Sequence, residues 1–385
     1  MSERSYAVIS GGGTGGHVFE ALAIARALVE RGHPPSAIEV FGSRRGQEAM
    51  LLAGEAFPLT LLPGRGLVRR WGLGDLLANL GALGGLAWGV CRAVARAARR
   101  RPRVVVSVGG YASVPADVAA VVLGIPLVLV TIDAVPGLVH RLLARRAAAN
   151  AVAFPGSPLP RAVVTGVAVR PEIVAVDRSP AAAARARAAL GLPSDRSVVG
   201  VVGGSLGARR LNIAAIELGR RWAGRADRTL YHVTGRRDWE EMRARSATPS
   251  GGAGIGGAGS GGELAHRMVP FEYDMASLYA AADVLVCRAG ASTVAELTVV
   301  GVPSVLVPLP RAPSDHQGAN ARALVEAGAA VLLPDDRCDG AALDSLLDEL
   351  LSNPSRLRAM GTAARSLGHP DAAARVAEVV DASAR

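Results

Sequence analysis

Two stretches of this chain carry an apolar strand into a glycine turn and then a helix: Val8 to His17 (VISGGGTGGH) and Val198 to Ala208 (VVGVVGGSLGA). Glycine lets a backbone turn tightly and approach a ligand, and the following helix aims N–H groups and a partial positive charge at it. Each turn therefore reads as a seat for a phosphate or diphosphate. The first ends in His17; an imidazole there can take a proton from a hydroxyl, although a lone histidine more often packs or caps. The second sets the Ser205 hydroxyl beside Gly203 and Gly204. A third helix start, Cys287 to Leu297 (CRAGASTVAEL), carries Ala291, Ser292 and Thr293 and, one turn in, Glu296. A carboxylate at that place either just favours the positive helix end or grips the vicinal hydroxyls of a ribose while the helix faces a diphosphate. Asp315 to Asn320 (DHQGAN) puts polar side chains, Gln317 among them, where a loop becomes a helix and a sugar is within reach.

Two anion-binding turns about 190 residues apart imply two α/β domains facing one cleft, as suits a phosphorylated donor meeting a phosphorylated acceptor. Gly11, Gly13 and Gly16 also match a dinucleotide fingerprint, but no acidic residue is convincingly placed on a second strand, and a P-loop is excluded in a chain without lysine. There is no Asp-x-Asp motif, so no metal and no cofactor are expected, and helix ends and arginine would meet the leaving-group charge. Through residues 1–172, strand candidates such as Ala7 to Ser10 and Val104 to Val108 alternate with helical patterns such as Glu20 to Arg31 and Val114 to Leu123. That alternation predicts a mostly parallel sheet. Residues 173–196 read as a connection and 197–368 as a second domain of the same kind. Ser246 to Gly262 has the composition of a flexible surface insertion.

Half of the 385 residues are apolar, enough for two full cores. Cys91, Cys287 and Cys338 are odd in number and unpaired in spacing, so neither a disulfide framework nor a zinc site is expected, and a reducing compartment fits. The first strand begins near Tyr6, which leaves no room for an export signal. The formal net charge of +10 lies almost wholly in residues 1–172, which hold 19 Arg against 10 Asp and Glu. Such asymmetry suits an anionic partner, either a membrane surface or nucleic acid. An aromatic content of 4% with no stacking motif argues against nucleic acid. Within Trp71 to Arg103 an apolar run, Leu76 to Cys91, precedes six arginines and is short for a membrane span. It reads either as a buried helix pair or as an interfacial element. In the second case Leu76, Leu77, Leu80, Leu83, Leu86 and Trp88 enter the lipid boundary while Arg92 and Arg96 meet headgroups, the reading that the charge asymmetry favours.

Six motifs in order, GGGTGGH, GGYAS (Gly109 to Ser113), GVAVR (Gly166 to Arg170), GGSLGARRLN, CRAGASTVAEL and DHQGANA, resemble the MurG family of peptidoglycan glycosyltransferases. The resemblance runs from about residue 6 to 335 and implies an inverting GT-B enzyme, with two Rossmann-like domains facing a cleft. It implies GlcNAc transfer from UDP-GlcNAc to the 4-hydroxyl of undecaprenyl-pyrophosphoryl-MurNAc-pentapeptide, on the cytoplasmic face of the membrane. Gly12, Gly13, Thr14, Gly15 and Gly16, with Tyr111 and Ser113, would hold the acceptor diphosphate, and the catalytic residues would be His17, as the base, and Glu296. Thr14, Gly16, Asp133, Arg170, Ser205, Glu272, Ala291, Ser292, Thr293, Glu296 and Gln317 would serve the donor, with Phe271 to Met275 bordering the uracil. The helix in 369–385 would return to the first domain, and the patch in Trp71 to Arg103 would rest on the inner leaflet.

The chain departs from the family pattern at several places. Val130-Thr131-Ile132-Asp133 stands for the usual HEQN, Glu20 for Pro after HVF, Leu206 for Gln, and Glu272 for Ile. Asp133 and Glu20 would add negative charge near a site for anions, which is costly unless paired. Two alternatives follow: a related GT-B enzyme with another lipid or natural-product acceptor, and a nucleotide-sugar-binding homologue without turnover.

Overall fold

The computed structural model describes residues 5–12, 15–44, 48–52, 54–63, 73–204, 207–247, 264–310 and 312–384, and the chain divides into two units. Residues 1–170 and 369–385 form the first, and 171–368 the second. The expected surface insertion therefore lies mostly outside the described residues.

The first unit runs β1 (Ala7–Gly11), α1 (Gly15–Glu30), β2 (Ile38–Ser43), α2 (Glu48–Leu51), β3 (Leu59–Leu62), α3 (Leu73–Arg100), β4 (Val104–Gly109), α4 (Val114–Leu123), β5 (Leu127–Thr131), α5 (Leu138–Leu143), β6 (Ala149–Val152) and β7 (Ala162–Val164). Its seven strands are all parallel in the order β3-β2-β1-β4-β5-β6-β7. Every residue of β1, β2, β4 and β5 is buried, which is why these strands, Glu39 of β2 apart, are mainly apolar runs rather than alternating ones. The strand order reverses between β1 and β4, and the loops leaving those two strands meet at that switch point.

The run after Trp71 is neither a helix pair nor broken by its glycines: α3 is one helix of 28 residues. Ala82, Leu86, Gly89, Ala93, Ala97 and Arg100, spaced three or four apart, form its covered face, while Leu83, Ala87, Trp88, Cys91, Arg92 and Arg99 are exposed. Gly89 is required by contact, since a Cβ there would lie 2.6 Å from the Pro63 carbonyl oxygen. The helix is pinned to the sheet by Glu39, buried in β2, which accepts from Arg96 Nε at 2.9 Å and from the Thr60 hydroxyl at 2.6 Å, with Arg100 Nε 3.7 Å away. Among the described residues no helix is long and apolar enough to cross a membrane.

The second unit begins with α6 (Pro171–Val174) and α7 (Pro180–Ala189), so 173–196 packs with it rather than standing apart as a connection. Ser179 caps α7 by accepting from Ala182 N, with Pro180 at the first turn. There follow β8 (Ser197–Val202), α8 (Arg209–Arg221), β9 (Arg228–Val233), α9 (Trp239–Ala247), β10 (Ala265–Val269), α10 (Met275–Ala281), β11 (Val284–Cys287), α11 (Ala291–Val300), β12 (Ser304–Leu306), α12 (His316–Glu326), β13 (Ala330–Leu332), α13 (Gly340–Leu351) and α14 (Pro354–Ser366). Its six parallel strands repeat the first sheet's order, β10-β9-β8-β11-β12-β13. Leu211, Ala214 and Leu218 of α8 share a core with Leu343, Leu347 and Leu350 of α13, and the buried Trp222 Nε1 donates to Asp344 Oδ1 at 2.7 Å.

The chain then re-enters the first unit as α15 (Ala372–Ser383), which packs on α1. Asp381 holds it there: the Tyr6 hydroxyl and Arg31 Nε each reach its carboxylate at 2.5 Å, and His33 Nε2 lies 3.0 Å away with its ring stacked on Tyr6. These donors lower the Asp381 pKa against the effect of burial. Asp381→Ala is expected to cost about 1–3 kcal/mol in urea unfolding and to speed tryptic cleavage at Arg375; an unchanged midpoint and digestion pattern would contradict this role.

Candidate active site

At the switch point of the first unit two backbone turns press on one another. A Cβ on Gly110 (φ 80°) would lie 2.5 Å from the Gly12 carbonyl oxygen, so only glycine fits. Gly12 is backed in turn by the buried Glu48, whose Oε1 accepts from Ser43 N at 3.2 Å. Gly15 and Gly16 open α1, and His17 stands half-buried in its first turn. Its Nε2 lies 3.7 Å from the place of a Cβ on Gly109, and His140 Nε2 lies 3.5 Å from the same place. Gly13 and Thr14, both expected at the site, lie outside the described residues.

Beneath this turn lies a polar network that sequence patterns did not indicate. Thr131 Oγ1 is 2.8 Å from His140 Nδ1, and Ser107 Oγ is 3.2 Å from His140 Nε2. Ser107 also bonds to Asp117, to which the Ser113 hydroxyl donates at 3.0 Å. One donor assignment satisfies the set: Thr131 donates to Nδ1, Nε2–H to Ser107, and Ser107 to the Asp117 carboxyl. Burial first, and His17 nearby second, push the His140 pKa down to about 4. Burial raises Asp117 to about 7 against the pull of its two serine donors.

Several expectations change in this setting. Ser113 is fully buried and turned to Asp117 and the Gly110 carbonyl, so its hydroxyl is not presented to a diphosphate. Tyr111 directs its hydroxyl to Ser43 Oγ at 3.2 Å. Glu20 is held toward its neutral form: it is buried, and burial raises its pKa to about 8 against the hydrogen bond it accepts from Ala168 N at 3.0 Å. Asp133 is half-buried just past β5, and the Arg170 guanidinium lies 4.4 Å from the Phe19 ring centroid. Arg96 turns inward to Glu39 rather than outward to headgroups. Leu83, Trp88 and Arg92 are exposed on α3, whereas the side chains of Leu76 and Leu80 lie outside the described part. A further apolar and basic surface went unread in the sequence, Leu138, Arg141, Leu142, Arg145 and Arg146 on and after α5.

In the second unit the turn after β8 holds Gly203 and Gly204, while Ser205 and Leu206 lie outside the described residues. Asn212 fastens the end of β9 and the loop after it, against which Gly207 lies: its Nδ2 donates to the Thr234 carbonyl at 2.8 Å and to Asp238 Oδ2 at 3.1 Å, and its Oδ1 accepts from His232 Nε2 at 3.0 Å. Across the switch, Gly290 begins α11 in an extended conformation, Ala291 is buried, and Ser292, Thr293 and Glu296 are half-exposed along the first turns. The Tyr279 hydroxyl reaches Glu296 Oε2 at 2.5 Å. Gln317 Oε1 accepts from Leu309 N at 2.8 Å, bracing the preceding loop. The Glu272 carboxylate folds back to the Tyr231 hydroxyl and to Asp274 N, so the side chain is not free for a donor and only the loop backbone remains. Beside it Phe271 and Tyr273 meet edge to face at 4.8 Å, with the Arg236 guanidinium over both rings. The expected donor set is thus split, with Gly16, Asp133 and Arg170 in the first unit and Glu272, Ala291, Ser292, Thr293, Glu296 and Gln317 in the second.

Two parallel-sheet units, each with a glycine turn and a helix start at its switch point, define a glycosyltransferase of the GT-B class. Residues 7–152 match the glycosyltransferase family 28 N-terminal domain and 198–376 the family's C-terminal domain, and the chain belongs to that family. It is 40% identical over 97% of both chains to a Moorella thermoacetica protein named UDP-N-acetylglucosamine–N-acetylmuramyl-(pentapeptide) pyrophosphoryl-undecaprenol N-acetylglucosamine transferase. It is 41% identical to the Alkalilimnicola ehrlichii protein of the same name, over 98% of this chain and 99% of that one. The crystal structure of Acinetobacter baumannii MurG superposes with a TM-score of 0.71 at 27% identity, over 98% of this chain and 99% of that one.

The buried histidines and the buried carboxyls pull the pH dependence of stability in opposite directions. His140 and His266 are held near pKa 4 and His232 well below its usual value, all chiefly by burial, whereas an unfolded chain takes up protons near 6.5. Their neutral forms favour the fold above pH 6.5, and that contribution is lost progressively as the pH falls toward 4. Glu20 and Asp117 act oppositely, since their protonated forms favour the fold at low pH and that contribution is lost as the pH rises through about 7 to 8. Chemical unfolding from pH 7 to 4.5 is expected to show a falling midpoint, and His266→Leu to flatten it; an unflattened slope would count against His266.

Proposed function

We infer that this enzyme transfers N-acetylglucosamine from UDP-GlcNAc to the MurNAc 4-hydroxyl of undecaprenyl-pyrophosphoryl-MurNAc-pentapeptide, forming lipid II with inversion at the anomeric carbon. The observation that carries the reading is whole-length identity to transferases of that name in a chain whose two switch points end in His17 and lead to Glu296. The acceptor diphosphate sits at the start of α1. His17 takes the proton of the 4-hydroxyl as its oxygen bonds to C1 of GlcNAc, the C1–O bond to the diphosphate breaks, and UDP departs. The N–H groups at Ala291 to Thr293 meet the charge on that leaving group without a metal. Glu296 takes the ribose hydroxyls, the backbone around Glu272 the uracil, and Gln317 the sugar.

The exposed face of α3, with Leu83, Trp88 and Arg92, supports peripheral binding to the inner leaflet of the cytoplasmic membrane, with Leu138 and Leu142 adding apolar area. His17→Ala is expected to lower kcat on a lipid I analogue by about 10²- to 10⁴-fold while calorimetric UDP affinity is kept. Ordinary turnover by the variant would overturn the base assignment, and no radiolabelled transfer by the native chain would overturn the acceptor. For the membrane, Trp88→Ser with Arg92→Glu is expected to lower cosedimentation with anionic vesicles about tenfold at 0.1 M salt. Undiminished binding, or equal binding to DNA, would contradict that surface.

A further inference from the structure

Glu296 is held from the core side by a residue that no motif contains. Tyr279, in α10, is 1% exposed, so its phenol is fixed by packing while its hydroxyl meets Glu296 Oε2 at 2.5 Å. The end of α10 is fixed in its turn. Arg178 donates to the carbonyl oxygens of Tyr279 and Ala282, and Arg187 Nε donates to that of Ala281 at 3.1 Å. Two arginines from the segment around α7 thus satisfy the carbonyl groups that a helix C-terminus leaves open, and their charge suits that end. Arg187 also bonds to Asp283 Oδ2 at 3.0 Å, which ties the same corner to the start of β11. A chain of contacts therefore runs from Arg178 through Tyr279 to a carboxylate that is half-exposed on α11.

A carboxylate on a flexible stem meets two hydroxyls well only if its rotation is set in advance, because the entropy of ordering it otherwise opposes binding. A phenol held in place by packing donates to it from one fixed direction. We propose that Tyr279 is a positioning residue for nucleotide recognition: by fixing the Glu296 carboxylate it makes the site select a ribose with vicinal 2′- and 3′-hydroxyls over a 2′-deoxyribose. The proposal rests on the assignment of Glu296 to the ribose, and a site built around a hydroxyl rejects the analogue that lacks it.

Titration calorimetry of the full chain with UDP and with 2′-deoxy-UDP tests both levels. The native protein is expected to prefer UDP by tenfold or more. Tyr279→Phe should weaken UDP about 5- to 10-fold, change 2′-deoxy-UDP little, and so narrow the ratio. Arg178→Lys, which keeps the phenol but loosens its anchor, should narrow it about 2- to 3-fold and stands in if the phenylalanine variant does not fold. Equal weakening toward both nucleotides marks a merely structural role and overturns the proposal, as does an unchanged ratio in the folded variants or no preference in the native chain. Glu296→Ala separates the levels: if it keeps the native preference, the ribose assignment itself fails. If it abolishes the preference while Tyr279→Phe retains it, only the role of Tyr279 fails.

Discussion

The carbonyl oxygen of Gly12 occupies the ground beside Gly110 where any side chain would begin. Much of the first unit's site follows from that backbone-to-backbone contact. It brings the loops from β1 and β4 together where the strand order reverses, and so places the start of α1, with its N–H groups and His17, over Gly109. Side chains between the loops would hold them apart and move the histidine from the helix start. The second unit reaches the same end differently: Gly207 lies against the Thr234 carbonyl, and Asn212 fastens that carbonyl and Asp238 from one side chain.

Loops pressed so closely bury polar groups, and burial decides their charge. A carboxylate under a helix start would cancel the field that draws an anion there, since desolvation does not remove Coulomb repulsion. Asp117, in the first turn of α4, and Glu20, in α1, are instead held toward the neutral form, and His140 is kept uncharged by the same burial. The surplus of arginine over acid in the first unit is therefore more effective near neutral pH than a count of residue types suggests.

The repeated strand, glycine turn and helix was legible because tight backbone approach demands glycine, and glycine is visible in a sequence. Parallel sheets were legible for a similar reason, since strands buried on both faces are continuous apolar runs. The partners of each polar side chain were not legible. Tyr111 sits in a glycine motif, yet its hydroxyl meets Ser43, 68 residues away on β2, and the hydroxyl of Ser113 turns to Asp117 one helical turn further on. Glu272 was misread because Tyr231, its partner, lies 41 residues away on a neighbouring strand. His140 and Tyr279 carry no local pattern at all, and their meaning comes from burial and from what their polar atoms touch.

Arg96 shows how one buried charge sorts a whole surface. The arginines after Trp88 look equivalent along the chain, and Arg92, Arg96, Arg99 and Arg100, three or four apart, do lie on adjoining rows of the helix, so small differences in angle decide which turn inward. Glu39 lies in the sheet with 1% exposure and would be costly there unpaired, so Arg96 and Arg100, four apart on one face of α3, are drawn to it. That pairing fixes the rotation of the helix about its axis. With the rotation fixed, Arg92 and Arg99 stay on the solvent side of Arg96 and Arg100, and Leu83 and Trp88 are exposed as well. The ion pair that draws Arg96 inward thus leaves Arg92 and Arg99 on the surface.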